Sequence, residues 1–456
     1  MRKILFLAFT LLVTCIYGQT TSISPYSGFG IGEIAPKGYD RSFAMGGVGI
    51  GFNDSLAINP LNPASYSFSK RMNPIFQVGI KGQKLDISSE INSNSIFNFS
   101  LNNFVLGFPV AKRAGIVLGI NPATTVGYNV IIAEEYTDAE DYTFPVFNKF
   151  EGSGGYNKFY LGGAYRLIEK KDSLLGIKSV LSFGVNVSFF GGKKFSLLNV
   201  IYADSSNSFK NTKYTLTEII RDIGIDFGLQ YLTYLKKTSA IDYISLSVGA
   251  TANIPKFMNT KFETLVYTYR LNASTIESNL DTIFFSDNLS GETFIPLNYG
   301  IGFMLDISKK WQIGIDYEAQ NWNSFKQNVE GVEIRNNNLT NMYRVGVGVQ
   351  FNPVPINSRK INTSYLKMIT YRMGARYTQQ YLKFDDYQLE EKAVSFGLNL
   401  PFSKSQSYSS INFGIEIGTG GTIDNGLIKQ DFLNFMIGLT LLPHRFNRWF
   451  VKRKFD

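Results

Sequence analysis

Long stretches of the chain alternate apolar and polar residues with a period of two. Ile223, Ile225, Phe227, Leu229 and Tyr231 alternate with Asp222, Gly224, Asp226, Gly228 and Gln230. Trp311, Ile313, Ile315 and Tyr317 alternate with Gln312, Gly314, Asp316 and Glu318. The same pattern runs through Tyr343, Val345, Val347 and Val349 against Arg344, Gly346, Gly348 and Gln350, and through Ile411, Phe413, Ile415 and Ile417 against Asn412, Gly414 and Glu416. This is the period of a β-strand whose two faces meet different surroundings. A soluble sandwich hides its apolar row and covers the other face with Lys and Glu. Here the second row is Gly, Ser, Asn, Gln and Asp, and the apolar row often ends in Tyr or Trp. That suits lipid outside, small polar groups inside and aromatic girdles at the two interfaces.

About fourteen strands are expected. They begin near Pro74, Ile96, Arg113, Gly155, Gly176, Phe209, Ala240, Ile283, Lys310, Thr340, Leu366, Leu389, Ser409 and Gln430. An even number fits an all-β, transmembrane antiparallel β-barrel, here over residues 73–443. Short basic turns follow the even-numbered strands, at Lys112 and Arg113, Lys170 and Lys171, Lys236 and Lys237, Lys309 and Lys310, Arg359 and Lys360, and Lys404. Longer polar stretches follow the odd-numbered ones, at 134–155, 270–292 and 330–341. Short turns on one rim and long loops on the other read as the periplasmic and extracellular faces of an outer-membrane protein, with both chain ends periplasmic. The tail, 444–456, adds Arg445, Arg448, Lys452, Arg453 and Lys454 to the basic rim. Lysines at turn tips discourage edge contacts, and they also suit a docking partner or lipid headgroups. Positive charge spread over turn tips offers no groove to nucleic acid.

Residues 1–18 read as a secretory signal peptide: Arg2 and Lys3, then an apolar stretch, then Gly18 at a small-residue cleavage point. Beyond it no apolar run approaches the ~18 residues of a spanning helix. Residues 19–72 do not alternate and are rich in Gly, Pro and Ser. Their glycines lack the preceding strand, following helix and Lys of a phosphate loop. Glycine does let a backbone pack closely against a wall, and fourteen strands enclose a lumen too wide for side chains alone to fill. A hatch folded inside the barrel mouth is therefore expected.

Composition narrows the chemistry. Of 456 residues only 18% are charged, against about 25% in soluble domains. There is one cysteine, Cys15, and one histidine, His444. A disulfide scaffold, a Cys/His zinc site and haem attachment are excluded. Histidine-based catalysis would rest on His444 alone, beside Pro443 and Arg445 beyond the last strand. No enzyme activity, metal or cofactor is expected. Inward carboxylates such as Asp222, Asp226, Asp316, Glu318 and Glu416 are expected to be solvated or paired with Arg344, Arg372 and Arg376, since a buried charge is costly unpaired.

The third strand contains Asn121, Pro122 and Ala123 within an otherwise continuous pattern. Proline cannot donate to a ladder, so pairing there must bulge or break. Pro122 thus marks either a local opening in the wall or the upper end of the membrane-embedded part.

The run Arg41-Ser42-Phe43-Ala44-Met45-Gly46-Gly47-Val48-Gly49-Ile50, followed by Asp54 and by Asn62-Pro63-Ala64, resembles the N-terminal hatch of the FadL family. These are outer-membrane transporters of long-chain fatty acids and other hydrophobic compounds. The resemblance implies a fourteen-stranded barrel, a hatch motif comprising Gly46, Gly47, Asn62, Pro63 and Ala64, and a lateral exit at the kinked third strand, over Asn121, Pro122 and Ala123. The segments 24–30, 426–430 and 449–453 are similar to a Bacteroidetes-type branch of that family. That branch includes barrels associated with the type IX secretion translocon. The implied function is passive transport of small hydrophobic compounds, with outer-membrane lipid around the barrel and a hydrophobic ligand within it. The alternative is a non-transporting accessory or plug subunit docked on a secretion-machinery barrel. The polar inward rows depart from the greasy conduit that fatty-acid transport would favour.

Overall fold

The computed structural model describes residues 24–35, 38–69, 74–137, 141–172, 176–203, 209–239, 241–271, 277–355, 358–359, 362–402 and 409–442. Fourteen strands form one closed antiparallel barrel: β1 (Ile75–Ser88), β2 (Ser93–Phe108), β3 (Ala114–Thr137), β4 (Thr143–Asp172), β5 (Gly176–Tyr202), β6 (Asn211–Lys237), β7 (Tyr243–Asn253 and Lys256–Leu271), β8 (Glu277–Ile295 and Asn298–Ile307), β9 (Trp311–Asn321 and Lys326–Val329), β10 (Asn341–Phe351), β11 (Thr370–Phe384), β12 (Tyr387–Pro401), β13 (Ser410–Gly420) and β14 (Lys429–Leu441). β14 closes on β1, from Leu441 opposite Phe76 to Lys429 opposite Ser88. Closure removes the free edges that an open sheet would present to lipid. β7 and β8 are interrupted at Pro255 and Pro296, where the ladder loses a donor.

The inside-out pattern holds. Trp311, Ile313, Ile315 and Tyr317 point outward and are exposed, while Gln312, Asp316 and Glu318 of the same strand are buried. Phe413, Ile415 and Ile417 are likewise exposed against buried Asn412 and Glu416. The polar row is buried because it faces the interior, and the apolar row is left for acyl chains.

Strand length departs from the expectation. The stretches 134–155 and 270–292, expected as loops, are mostly strand. β4 runs for 30 residues and β5 and β6 for 27 each, where crossing a bilayer takes about 9–11. β3 to β8 therefore rise well beyond the apolar belt. Residues 131–137 are exposed on both faces, whereas further round one face is covered, with Phe144, Val146, Ile220, Phe262 and Tyr269 buried. No lipid-facing row is needed there, so the sequence reads as loop. The expected contrast of turn lengths also fails in places. The β11–β12 turn on the far rim is only Asp385 and Asp386, whereas the β10–β11 connection, 352–369, is long and carries a 3-10 turn at Tyr365–Met368. Lys360, Lys404, His444 and the tail 444–456 lie outside the described residues.

Among the described residues of 24–69 there is no long strand. Three short 3-10 turns, Pro25–Gly28, Phe43–Met45 and Pro63–Phe68, and the two-residue strand Glu33–Ile34 are joined by glycine-rich backbone. Phe43, Ala44, Met45, Val48, Ile50, Ala64 and Tyr66 are all buried. Tyr66 and Ile58 pack against Val105 and Val117 of the wall, and Met45 and Val48 against Met304.

Candidate functional site

The wall receives this amino-terminal segment through a girdle of glycines, one from each strand. Going round the barrel, a Cβ on Gly115, Gly162, Gly184, Gly228 or Gly249 would run into Tyr66, Tyr66, Pro63, Asn62 and Ile50 respectively. On Gly302, Gly314, Gly348, Gly374, Gly397, Gly414 and Gly438 it would meet Ile50, Val48, Met45, Met45, Ala44, Phe43 and Asp40. Gly79 and Gly107 complete the ring against Asp40 and Ile58. The segment thus lies close on the wall, its backbone against Gly115, Gly184, Gly249, Gly302, Gly348 and Gly374 and its side chains against the other glycines, and its residues 66 to 40 run round the barrel from β3 to β14.

Hydrogen bonds fix it at the residues singled out from sequence. Gly46 N–H donates to Ser395 Oγ at 2.9 Å, and Gly47 accepts from Arg344 Nη2 at 3.0 Å through its carbonyl. Both have left-handed φ, 66° and 78°, which glycine adopts without strain. Asn62 Nδ2 donates to the carbonyls of Ile50 at 2.8 Å and Leu229 at 3.1 Å, while its Oδ1 accepts from Ala64 N–H at 3.0 Å. Asn62 thereby caps the 3-10 turn that Pro63 begins and ties it to β6. Asp316 Oδ2 takes the N–H groups of Gly49 at 2.6 Å and Ile50 at 2.8 Å.

Asp40 is buried beside Gln77, whose Nε2 donates to Asp40 Oδ2 at 3.3 Å. Burial pushes the Asp40 carboxyl up to about 7, against the opposing pull of Arg372 and of its hydrogen bonds. Higher on the wall, Arg376 holds Glu416 at 2.9 Å and also pairs with Glu391. Arg344 lies 3.9 Å from Glu318. Arg372 instead donates to Gln350 and Asn412, both at 2.8 Å. The pairing expected for the inward arginines therefore holds for two of the three. Asp222 and Asp226 pair with lysines, Lys256 and Lys158.

At Pro122 the wall changes on both sides. Towards β4 the ladder continues after one bulge, with Pro122 opposite Asn157 and Thr124 opposite Tyr156. Towards β2 it stops. β2 and β3 pair only from Phe104 opposite Ile120 to Phe108 opposite Ile116. Above that point residues 93–103 of β2 pair with β1 alone. The amino-terminal segment takes the vacated edge of β3 instead, with Glu33 opposite Thr125, Ile34 opposite Thr124, and Ala35 N–H donating to the Ala123 carbonyl at 3.0 Å.

Behind this seam lies a cavity of about 230 Å³. Asn121, Pro122 and Ala123 form one side, and Ile31, Ile34, Tyr39, Ile50 and Leu61 give it apolar surface. Its polar side comes from the wall, including Asn186, Glu318 and the Lys158–Asp226 ion pair. Trp322 also lines it, stacked on Tyr381 with ring centroids 4.8 Å apart. The sequence singled out the Pro122 flank but not Trp322 or the lysine-aspartate pair, which come from strands far apart in the chain.

The lysines expected on the basic rim all fall at the end of the barrel where β1 begins and β14 ends. Lys170, Lys171, Lys236 and Lys310 are exposed. Lys237 donates to the Ile177 carbonyl at 3.2 Å, and Lys309 pairs with Asp306 at 2.7 Å. Among the described residues no cluster of three or more His, Cys, Asp or Glu side chains is placed to hold a metal ion.

A family model described as BamG matches residues 1–456. No curated protein sequence matches the chain. Solved structures do. The CymD monoaromatic hydrocarbon channel is 13% identical, with a TM-score of 0.52 over 92% of this chain and 100% of its own. A FadL homologue of Pseudomonas aeruginosa is 12% identical, TM-score 0.52, covering 90% of this chain and 99% of its own. The toluene transporter TbuX of Ralstonia pickettii is 13% identical, TM-score 0.51, covering 89% and 98%. At these identities the likeness is one of fold.

Proposed function

Because the chain belongs to the BamG family and is built on the FadL-type barrel, we propose that it is an outer-membrane barrel that takes a small apolar molecule into its lumen and passes it sideways into the membrane. The observation that carries this reading is the coincidence of the cavity with the place where the β2–β3 ladder stops. Residues 24–69 act as the hatch in this reading. The amino-terminal segment, pressed on the wall at the glycine girdle, stands between the cavity and the rim with the chain ends in this reading, so a bound molecule leaves through the wall. In the apolar setting of a protein core, a cavity of about 150 Å³ takes up benzene; the cavity here, at about 230 Å³, suits one ring or a short chain better than a long acyl chain. The structural neighbours named for monoaromatic hydrocarbons and toluene agree with that size.

Titrating toluene into the detergent-solubilised full chain tests the proposal. Saturable binding that disappears in Thr251→Trp, a change that fills the cavity, supports it; absence of binding to the unaltered chain refutes it.

A second reading has its own support in the family membership and the basic rim. In that reading the chain is an accessory subunit of an outer-membrane assembly or secretion machine, the type IX translocon among them, and the rim lysines and carboxy-terminal tail face the periplasm and dock the partner. Co-elution with a much larger barrel in gentle detergent, lost when Lys170, Lys171, Lys236 and Lys310 become Glu, favours it.

A further inference from the structure

Among the described residues the upper part of β3 is a strand edge without a partner. From residue 124 to Thr137 the strand pairs with β4 without a further register shift, ending with Thr137 opposite Thr143. On the other side only residues 123–127 are covered. Ala35 N–H donates to Ala123, and the Ser27 hydroxyl both accepts from Gly127 N–H at 3.0 Å and donates to its carbonyl at 3.1 Å. These contacts show which residues of β3 aim their backbone groups at the open side: 123, 125 and 127. Antiparallel strands alternate in this respect, so Asn129, Ile131, Ala133, Glu135 and Thr137 do the same. Among the described residues nothing pairs with them there. Residues 131–137 are all exposed, Ile131 at 60%.

We propose that this edge binds an extended segment of a second polypeptide by strand addition, continuing the addition already made by Glu33 and Ile34. An unpaired ladder edge is satisfied by another extended backbone, with side chains at alternate positions giving selectivity. Ile131 and Ala133 flank the edge on one face and Ile132 on the other, so the occupant carries apolar residues at matching positions. Glu134 and Glu135 take part in no ion pair among the described residues, so the occupant carries Lys or Arg beside them. The edge stands beyond the apolar belt, which makes the partner a chain outside the bilayer rather than a lipid-borne molecule. This inference is independent of the lumen cavity.

The test is fluorescence anisotropy on the detergent-solubilised full chain with a labelled probe peptide of alternating Val and Thr, capped by Lys at both ends. Saturable binding is expected, weakened about tenfold or more in the Ile131→Pro, Ala133→Pro double variant, because proline removes donors from the open side only. Glu134→Gln with Glu135→Gln is expected to weaken it a few-fold. A second arm leaves the barrel unaltered and N-methylates alternate amides of the probe: methylation along one edge must abolish binding and along the other must spare it. Equal binding by both methylated probes, binding unaffected by the proline pair in a folded barrel, or no binding of the probe at all would overturn the proposal. So would self-association of the protein through this edge that excludes the probe, shown by a disulfide between Ala133→Cys copies.

Discussion

Gly348 of β10 faces the carbonyl oxygen of Met45 so closely that a Cβ at position 348 would lie 2.5 Å from it. One such contact is a local detail; a comparable one on every strand makes the wall a mould for the amino-terminal segment. Gly348→Val is expected to dislodge residues 43–51 at a cost of about 1–3 kcal/mol, the range for overpacking. Hydrogen exchange over that segment should rise, while Gly163→Ala, with open space around the new methyl, should leave it unchanged.

Asn62 holds the segment at three points, two as donor and one as acceptor. Asn62→Ala leaves the buried carbonyls of Ile50 and Leu229 without this partner and should cost about 1–3 kcal/mol. Asn62→Asp keeps the acceptor to Ala64 but turns a buried carboxylate oxygen against both carbonyls, so it is expected to cost at least as much as Asn62→Ala. Protease accessibility of residues 38–69 in the folded barrel would rank the three proteins.

The Asp40 carboxyl, raised to about 7 by burial, makes the seating of the segment sensitive to pH. A carboxyl whose folded value exceeds its unfolded one stabilises most below the unfolded value, and that contribution is lost as pH rises through the folded value. Exchange protection around residue 40 should therefore decline between about pH 4 and pH 7 and level off above. Asp40→Asn should remove most of that dependence. A flat profile in the unaltered chain would contradict the assignment.

Arg376 neutralises two carboxylates, Glu416 and Glu391. Arg376→Leu leaves both without it, and breaking a buried pair from one side costs about 3–5 kcal/mol. Thermal unfolding of the barrel, followed by its electrophoretic shift on heating, should move to clearly lower temperature. Restoring neutrality with Glu416→Gln and Glu391→Gln should recover part of the loss.

Much of this was legible in the chain itself. Alternation such as Ile313 and Ile315 against Gly314 and Asp316 gives both strand and inside-out orientation, because lipid on one face and an enclosed interior on the other impose it. Pro122 announced an irregular ladder. Which side would break was not legible, because that depends on β2 pairing only as far as Phe104 and on Glu33 and Ile34 coming to lie beside β3. The tall strands escaped notice for a different reason. Residues 131–137 are exposed on both faces, so polar and apolar residues mix there as they do in a loop, and the buried Phe144 and Val146 are too short a row to read as strand. The glycine girdle is visible only once fourteen strands are set in register, since each glycine alone is an ordinary member of a small polar row.

The lateral route is tested most directly by transfer of an apolar fluorescent probe through the barrel into the lipid of reconstituted vesicles, comparing the unaltered chain with Pro122→Val. Valine restores a ladder donor at the end of the β2–β3 seam. Slower transfer is expected at equal barrel abundance and unchanged heat-shift of the folded band if the seam is the exit. Equal rates in a correctly folded Pro122→Val barrel would contradict it.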